Sequence, residues 1–95
     1  MSRDRRVSEV ESLLGSRGRI RVLRVLSEGG ELNISEVTRR VGMNHSSVAG
    51  HLERLKGMGL VREKRYGKIR IFEAVFNSLI VRFDRGQGVS LNVEA

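Results

Sequence analysis

Cysteine is absent from the 95-residue chain, and histidine occurs only twice. Without cysteine the chain can form neither a disulfide scaffold nor a zinc ribbon, and it offers no thiol nucleophile. Two histidines leave little material for a metal site, so we expect no metal and no cofactor. The longest apolar runs contain three residues, as in Leu79–Val81, whereas a membrane-spanning helix needs ~20. We therefore expect no association with a membrane.

The N-terminal residues are basic but no apolar stretch follows them, which argues against a secretory signal and for a cytoplasmic protein. Catalytic patterns are also missing: there are no paired carboxylates, no glycine-rich phosphate loop and no nucleophile with an adjacent base and orienting acid. Ser47 and His51 are merely four residues apart on a helix. We expect a single domain over residues 1–95, with one small core, that binds rather than catalyses.

Positive charge is concentrated in one third of the chain. Residues 39–70 contain nine basic and two acidic side chains, and the remainder contains nine of each, so this stretch carries the whole net charge of +7. Such asymmetry is typical of a surface that contacts nucleic-acid phosphates, because neutralising them releases counterions and favours binding. A solvated surface that serves only solubility is the alternative interpretation.

Hydrophobic spacing predicts four helices. Apolar residues recur at intervals of three and four, the period of an amphipathic helix, in residues 5–14, 17–28, 34–41 and 45–57. We expect Ser35 to cap the third helix and Asn44 the fourth, because short polar side chains accept hydrogen bonds from free helix N–H groups. Gly29-Gly30 is expected to end the second helix with a positive φ.

After residue 60 the apolar period changes. Residues 61–72 contain two β-prone runs around Tyr66-Gly67, which predicts a hairpin with glycine in its turn. Five basic residues fall within nine positions of this hairpin and face little acid. Residues 76–95 fit either a short helix or a second hairpin. Their alternating, β-branched segments favour the hairpin.

The third and fourth helices and the three-residue turn between them have the spacing of a helix-turn-helix, and the basic hairpin follows where a wing would lie. The sequence here resembles the winged helix-turn-helix superfamily, most closely the ArsR- and MarR-like transcriptional regulators. Four segments carry the resemblance: Arg19–Leu23, Ile34–Val37, Ser46–Leu55 and Gly59–Val61. The resemblance covers residues 17–75. It implies an α+β, mainly α fold, with a three-helix core, a β-hairpin wing, a short N-terminal helix and a C-terminal hairpin or helix.

The resemblance also implies which residues face DNA. The recognition helix would contribute Ser46, Ser47, Gly50, His51 and Arg54, and the wing tip Arg65, Tyr66, Gly67 and Lys68. At roughly 100° per residue, Val48, Leu52 and Leu55 cluster on one side of this helix. Ser46, Gly50 and Arg54 lie opposite, with His45 and His51 at the flanks.

Gly50 costs about 1 kcal/mol of helix stability relative to alanine, so it either lets the backbone approach DNA closely or reflects neutral drift. We expect His51 to pack at the edge of the core and touch a phosphate. His45 and His51 diverge on a helix and cannot chelate one ion. The cysteine or carboxylate–histidine sets of metal-sensing ArsR proteins are also missing, so we do not expect regulation by a metal.

Arginines and the hairpin tip supply the remaining candidates. Arg54 could reach a phosphate or a base edge, or be simply solvated, and Arg39 and Arg40 are candidates at the end of the preceding helix. In the wing, Arg65 and Lys68 could straddle a phosphate backbone or enter the minor groove. Tyr66 could stack or hydrogen-bond there, or simply pack on a neighbouring residue. Long base-reading side chains are otherwise scarce, so we expect phosphate contacts and groove shape to carry much of the affinity.

We therefore expect a small transcriptional regulator that binds double-stranded DNA, with the 45–57 helix in the major groove and the 61–72 wing on the backbone or minor groove. Apolar stripes in residues 7–14 and 76–95 suggest a homodimer, which implies half-sites about one helical turn apart. It would work at the nucleoid, with an unknown effector. The alternatives are an architectural protein of low sequence specificity and a protein-interaction module of a transcription or replication complex.

Overall fold

The computed structural model describes the backbone of residues 2–94 and the side chains of residues 7–94. Its helices are α1 (Ser2–Leu14), α2 (Arg17–Gly29), α3 (Ile34–Val41) and α4 (His45–Gly57). Its strands are β1 (Leu32–Asn33), β2 (Val61–Tyr66), β3 (Ile69–Ala74), β4 (Ser78–Asp84) and β5 (Gly88–Glu94). The four predicted helices are confirmed, with α1 beginning three residues earlier than expected and α2 ending one residue later.

Short polar side chains begin three of the helices. Ser16 accepts a hydrogen bond from the Arg19 backbone at the start of α2, and Asn44 caps α4 as predicted. The prediction of Ser35 as the cap of α3 is wrong. Asn33 occupies that position, and it exchanges two 2.9 Å hydrogen bonds with Glu36. This reciprocal arrangement satisfies two free N–H groups at once, which a cap two residues later could not do.

The charged hairpin is confirmed as a pair of antiparallel strands. β3 lies between β2 and the very short β1, so the sheet has the order β1-β3-β2. Tyr66 pairs with Ile69 at the tip, and Gly67 has a φ of 64°, which only glycine adopts easily. The hairpin β2–β3 is called the wing below.

Residues 78–94 form the second hairpin, and the alternative of a helix is wrong. β4 and β5 pair along their whole length, with Leu79 opposite Val93 and Phe83 opposite Val89. The alternating apolar residues consequently lie on one face of the hairpin. A helix would have scattered them around its circumference.

One cluster of buried side chains extends through the described part of the chain. Its centre lies between α2, α3, α4 and β3, where Val22, Val37, Leu52 and Phe72 are fully buried. α1 and β5 extend it with three further buried residues: Val10, Leu13 and Leu91. Part of the apolar stripe in residues 7–14, expected to form a dimer contact, therefore packs inside the protomer. Among residues 2–94 no helix is long and apolar enough to cross a membrane.

Candidate nucleic-acid interface

The fourth helix, α4, is anchored by one apolar side. Val48, Leu52 and Leu55 are completely buried, as the helical spacing predicted. Gly42 ends α3 in the left-handed conformation, with a φ of 71°, and the chain turns directly into α4. The remaining circumference of α4 divides into an open side, a side against α1 and α2, and a side against the wing.

The open side of α4 consists of small residues. Ser46 and Gly50 are exposed, and within the described residues no neighbouring heavy atom outside the local helix backbone lies within 4 Å of the position that a Cβ on Gly50 would take. The Ser46 hydroxyl donates a 3.0 Å hydrogen bond to the side chain of Asn44, and Ser47 is half-buried. This side is therefore a low ridge on which the helix backbone lies close to the surface.

His51 turns from this ridge toward α2. Its Nε2 lies only 2.8 Å from where a Cβ on Gly18 would be, as does the terminal methyl of Met43. Burial, and secondarily the charge of Arg19, lowers the pKa of His51. Its Nδ1 is buried without a hydrogen-bond partner among residues 7–94. The expected packing at the core edge is consistent with this geometry, while a phosphate contact stays a prediction.

Arg54 leans toward α1. Its Nε donates a 3.2 Å hydrogen bond to the Ser12 hydroxyl, and Arg19 donates to the carbonyl and hydroxyl oxygens of the same serine at 2.7 and 2.9 Å. Burial, followed by repulsion from Arg54, lowers the pKa of Arg19. Ser12 thus holds two arginines together beside a groove of about 400 Å³ between α1 and α4.

The wing side of α4 is joined to the hairpin by ion pairs. Glu53 accepts a 2.9 Å hydrogen bond from Arg70 of β3, and Lys56 donates one of 2.7 Å to Glu63 of β2. Arg70 also lies over the ring of Phe72, 5.2 Å from its centroid. These contacts fix the wing beside the helix, so that α4 and the wing belong to one surface.

Glu63 is the centre of this network. Its side chain is only 9% exposed and accepts hydrogen bonds from Lys56 and Arg70, each 2.7 Å at the shortest, and from Arg65 at 3.3 Å. The bonds from Arg70 and then Lys56 lower the pKa of the Glu63 carboxyl to about 2, and the same pairing raises the pKa values of both cations. The sequence analysis did not identify Glu63 as the centre of an ion-pair network, although a single acidic residue within a basic strand could have indicated it.

A second set of ion pairs lies on the other side of the wing. Lys64 contacts Glu31 at 2.7 Å and Glu73 at 3.1 Å, and Arg62 contacts Glu73 at 2.9 Å. The expectation that the basic hairpin faces little acid is therefore wrong. Folding brings Glu31 and Glu53 to the hairpin, whose own strands contribute Glu63 and Glu73. The charge count over residues 39–70 included Glu53 and Glu63 but not the other two carboxylates.

The wing tip remains open. Tyr66 is 57% exposed, and Lys68 is exposed and has no ion pair within the described residues. Arg65 is also exposed, although its Nε is directed at Glu63. The tip therefore presents an aromatic ring and one unneutralised lysine, rather than the five free cations that the sequence suggested.

The remaining candidates lie around the start of α4. Arg39 and His45 are exposed. Arg40 is exposed as well, and together with Arg21 and Arg24 of α2 it lines a groove of about 320 Å³. The Arg40 guanidinium is directed toward the end of α2, 3.0 Å from where a Cβ on Gly29 would be.

Comparison with known proteins gives concordant results. The sequence model of the arsR family of bacterial regulatory proteins matches residues 16–63, while no curated protein matches by sequence. A possible transcriptional regulatory protein from Mycobacterium bovis (crystal structure of fragment 1–100) is 28% identical with a TM-score of 0.63, and the match covers 72% of each chain.

Two other solved structures are equally informative. The solution structure of a homodimeric winged helix-turn-helix DNA-binding domain from M. bovis, a possible ArsR-family regulator, is 28% identical with a TM-score of 0.62, covering 72% of this chain and 62% of that one. The antimony-specific repressor AntR is 28% identical with a TM-score of 0.64, covering 73% and 62%. In these two structures, the first of which is of the same M. bovis fragment as the crystal structure, the match spans less than two thirds of the matched chain.

The family match includes α2, α3, α4 and the start of β2, which are the elements that build the surface described above. AntR is a transcriptional repressor, and the M. bovis protein is a possible transcriptional regulator whose winged helix-turn-helix domain has the helical core and hairpin wing seen here. The chain belongs to the arsR family of bacterial regulatory proteins and is a winged helix-turn-helix, sequence-specific DNA-binding regulator.

Proposed function

We propose that the protein binds DNA as a homodimer, placing the open side of each α4 in a major groove and each wing tip on the neighbouring backbone or in the minor groove. The observation that carries this proposal is the link between Arg70 of the wing and Glu53 of α4 at 2.9 Å. It holds the wing beside the helix on the surface where Ser46 and Gly50 are exposed.

The open side of α4 is better suited to close approach of the helix backbone to DNA than to extensive hydrogen bonding with base edges. Ser46 and Ser47 carry only short hydroxyl side chains, which hydrogen-bond to bases permissively. Gly50 leaves the α4 backbone uncovered. We expect phosphate contacts from exposed cations, namely Arg39, Arg40, Arg54, Arg65 and Lys68. His45 and Tyr66 would lie near the groove edges. Specificity would then depend strongly on groove shape and deformability.

Two features support the homodimer. The M. bovis domain that is 28% identical to this chain is homodimeric. In addition, α1 and the C-terminal hairpin leave apolar side chains exposed, among them Leu14 and Phe83. A twofold-symmetric dimer would recognise two half-sites whose centres are about 34–36 Å apart.

We further propose that the protein works at the nucleoid and acts through binding, without catalysis. The surface described here offers polar and cationic groups for DNA but no nucleophile with an adjacent base. The relatives are regulators, which favours this assignment over an architectural protein or a protein-interaction module.

The test is selection of bound fragments from random duplex DNA, followed by titration of the best fragment with salt. We expect enriched fragments to contain two related half-sites one helical turn apart. The logarithm of the binding constant should fall steeply with the logarithm of salt, by about 0.9 for each phosphate neutralised.

Competition with random DNA separates the alternatives. A sequence-specific regulator should stay bound to the selected fragment when random duplex is added in excess, whereas an architectural protein should release the fragment. Failure to bind any duplex at low salt would contradict DNA binding and favour the protein-interaction module.

A further inference from the structure

Strand β4 has an unoccupied edge. Within residues 2–94 it pairs only with β5, in a sheet of two strands, so its other edge presents backbone N–H and C=O groups without strand partners. The strand is seven residues long and contains no proline. A long exposed edge of this kind is a template for pairing with another strand.

The apolar side chains of β4 differ sharply in exposure along the strand. Leu79 and Val81 pack against the core of the protomer, whereas Phe83, near the hairpin tip, is 71% exposed. Alternate residues of a strand point to the same face, so these three side chains share one face. Phe83 extends this face beyond the part that the protomer itself covers.

An apolar groove lies at the opposite end of the same strand. Its volume is about 320 Å³, and its apolar lining comes from Ile20 and Leu23 of α2 together with Phe76 and Leu79. Leu79 and Phe83 are four residues apart, which corresponds to about 13 Å along a strand. Each protomer therefore has an uncovered phenylalanine at one end of β4 and an apolar groove at the other.

We propose that a second copy of this chain pairs its β4 with this edge, antiparallel and centred on Val81, and that Phe83 of each copy fills the groove of the other. This inference rests on the proposed homodimer and names its interface. With Val81 opposite Val81, Leu79 lies opposite Phe83 of the partner subunit. In an antiparallel pair, residues that lie opposite each other point to the same face, which is the face of the groove.

A second copy fits this surface better than an unrelated ligand. An isologous interface requires the same patch on both subunits, with each element complementary to another element of that patch. Under twofold symmetry, the free edge of one β4 pairs with the free edge of the other β4. Phe83 of each subunit then enters the groove of the other subunit. The resulting four-stranded sheet would leave no exposed edge on either β4.

Light scattering on paired variants tests the apolar anchor. The wild-type protein should have twice the 10.7 kDa mass of the chain. Phe83→Ser removes two anchors per dimer and should raise the dimer dissociation constant about 100-fold. Val93→Ser is the matched control, because Val93 is also an exposed apolar residue, at 48%, but lies on β5. It should leave the mass unchanged.

Cysteine cross-linking tests the strand register, and the natural chain contributes no cysteine to the background. Paired residues of an antiparallel sheet have Cα atoms about 5.5 Å apart or less, within the range for a disulfide. Val81→Cys should therefore form a covalent dimer under mild oxidation. Val93→Cys should not, because two β4 strands would separate the two β5 strands.

Each outcome bears on the proposal. A wild-type dimer that survives Phe83→Ser, or that cross-links through residue 93 and not residue 81, would overturn this interface while leaving a homodimer intact. A wild-type monomer at all concentrations would overturn both. DNA binding is measured separately on the same samples, so its loss in a protein that still cross-links at residue 81 would instead contradict the proposed function.

Discussion

At the scale of single residues, the recognition surface depends on side chains that are small. Gly50 lies on the open side of α4, and in the part of the chain that the structure describes no neighbouring side chain would contact an added methyl group there. Packing therefore does not require glycine at this position. We therefore expect the requirement for glycine to come from a surface outside the protomer, which is the DNA in the proposed complex.

Gly50→Ala is expected to stabilise the protein and weaken its DNA binding. Alanine should raise the free energy of unfolding by up to about 1 kcal/mol through helix propensity, while its methyl group separates α4 from the groove. Thermal melting and a DNA titration measure the two effects. Gly57→Ala is the control, since Gly57 is also unobstructed but lies at the far end of α4. Unchanged DNA affinity in Gly50→Ala would indicate neutral drift.

Glu63→Gln is expected to destabilise the protein by about 1–3 kcal/mol, because it removes the acceptor of several charge-assisted hydrogen bonds and leaves Lys56 and Arg70 without their main partner. Chemical denaturation measures the loss. Glu28→Gln is the control: its ion pair with Arg24 is exposed and 3.8 Å long, so its removal should cost less than about 0.5 kcal/mol. Equal effects of the two substitutions would show that Glu63 is not a central contact.

At the scale of elements, the two strands of the wing carry cations that are mostly ion-paired, whereas the tip of the wing is open. Most cations of β2 and β3 contact carboxylates within the protomer, so the large positive charge in this part of the sequence overstates what the wing can offer to DNA. The ion pairs have a mechanical role instead. They connect both strands of the wing with α4, so that helix and hairpin can meet a duplex as one rigid surface.

The two kinds of wing cation should differ in the salt dependence of DNA binding. Lys68→Gln removes an exposed, unpaired charge and should reduce the slope of log K against log salt by about 0.9. Arg62→Gln removes a charge that is already paired with Glu73 at 2.9 Å, so the slope should change little. Titrations of one duplex with both variants give the comparison. A larger change for Arg62→Gln would mean that its ion pair opens on DNA.

At the scale of the whole molecule, burial and ion pairing make the fold sensitive to acid. The pKa of His51 is lowered below its ordinary 6.5 in the folded protein. As the pH falls, His51 is therefore protonated in the unfolded chain before it is protonated in the folded one. The pKa of Glu63 is lowered from 4.5 to about 2, so its contribution is complete above 4.5 and disappears as the pH falls toward 2. Both shifts make stability decrease with falling pH, in separate windows.

Thermal melting between about pH 8 and pH 3 should therefore show a gentle loss below pH 6.5 and a steeper one below pH 4.5. His51→Asn should flatten the upper window. Glu63→Gln should make the lower window smaller without abolishing it, because the hydrogen bond from Lys64 also lowers the pKa of Glu73. A melting temperature independent of pH in this range, or a lower window of unchanged size in Glu63→Gln, would contradict the assignment.

Much of this fold was determined locally and could be predicted from the sequence. Val48, Leu52 and Leu55 repeat with the helical period, and the turn at Gly67 divides two β-prone runs, so α4 and the wing were recognised with their bounds nearly correct. In residues 76–95 the alternating residues have a period of two, which favoured the hairpin but left a helix open until the structure was known. Periodicity of this kind needs no knowledge of distant contacts, because it reflects which side of an element is buried.

Tertiary structure alone decided the electrostatics and the remaining surface. Glu31 is 33 residues from Lys64, and Glu53 is 17 residues from Arg70, so only the folded chain shows that these charges neutralise each other. In the same way, only the folded chain shows that Val10 and Leu13 are covered by the core, while Leu14 and Phe83 stay exposed and the edge of β4 stays unpaired within residues 2–94. The sequence determined the elements because their periodicity is local, whereas pairing of charges and covering of apolar faces depend on distances that only folding sets.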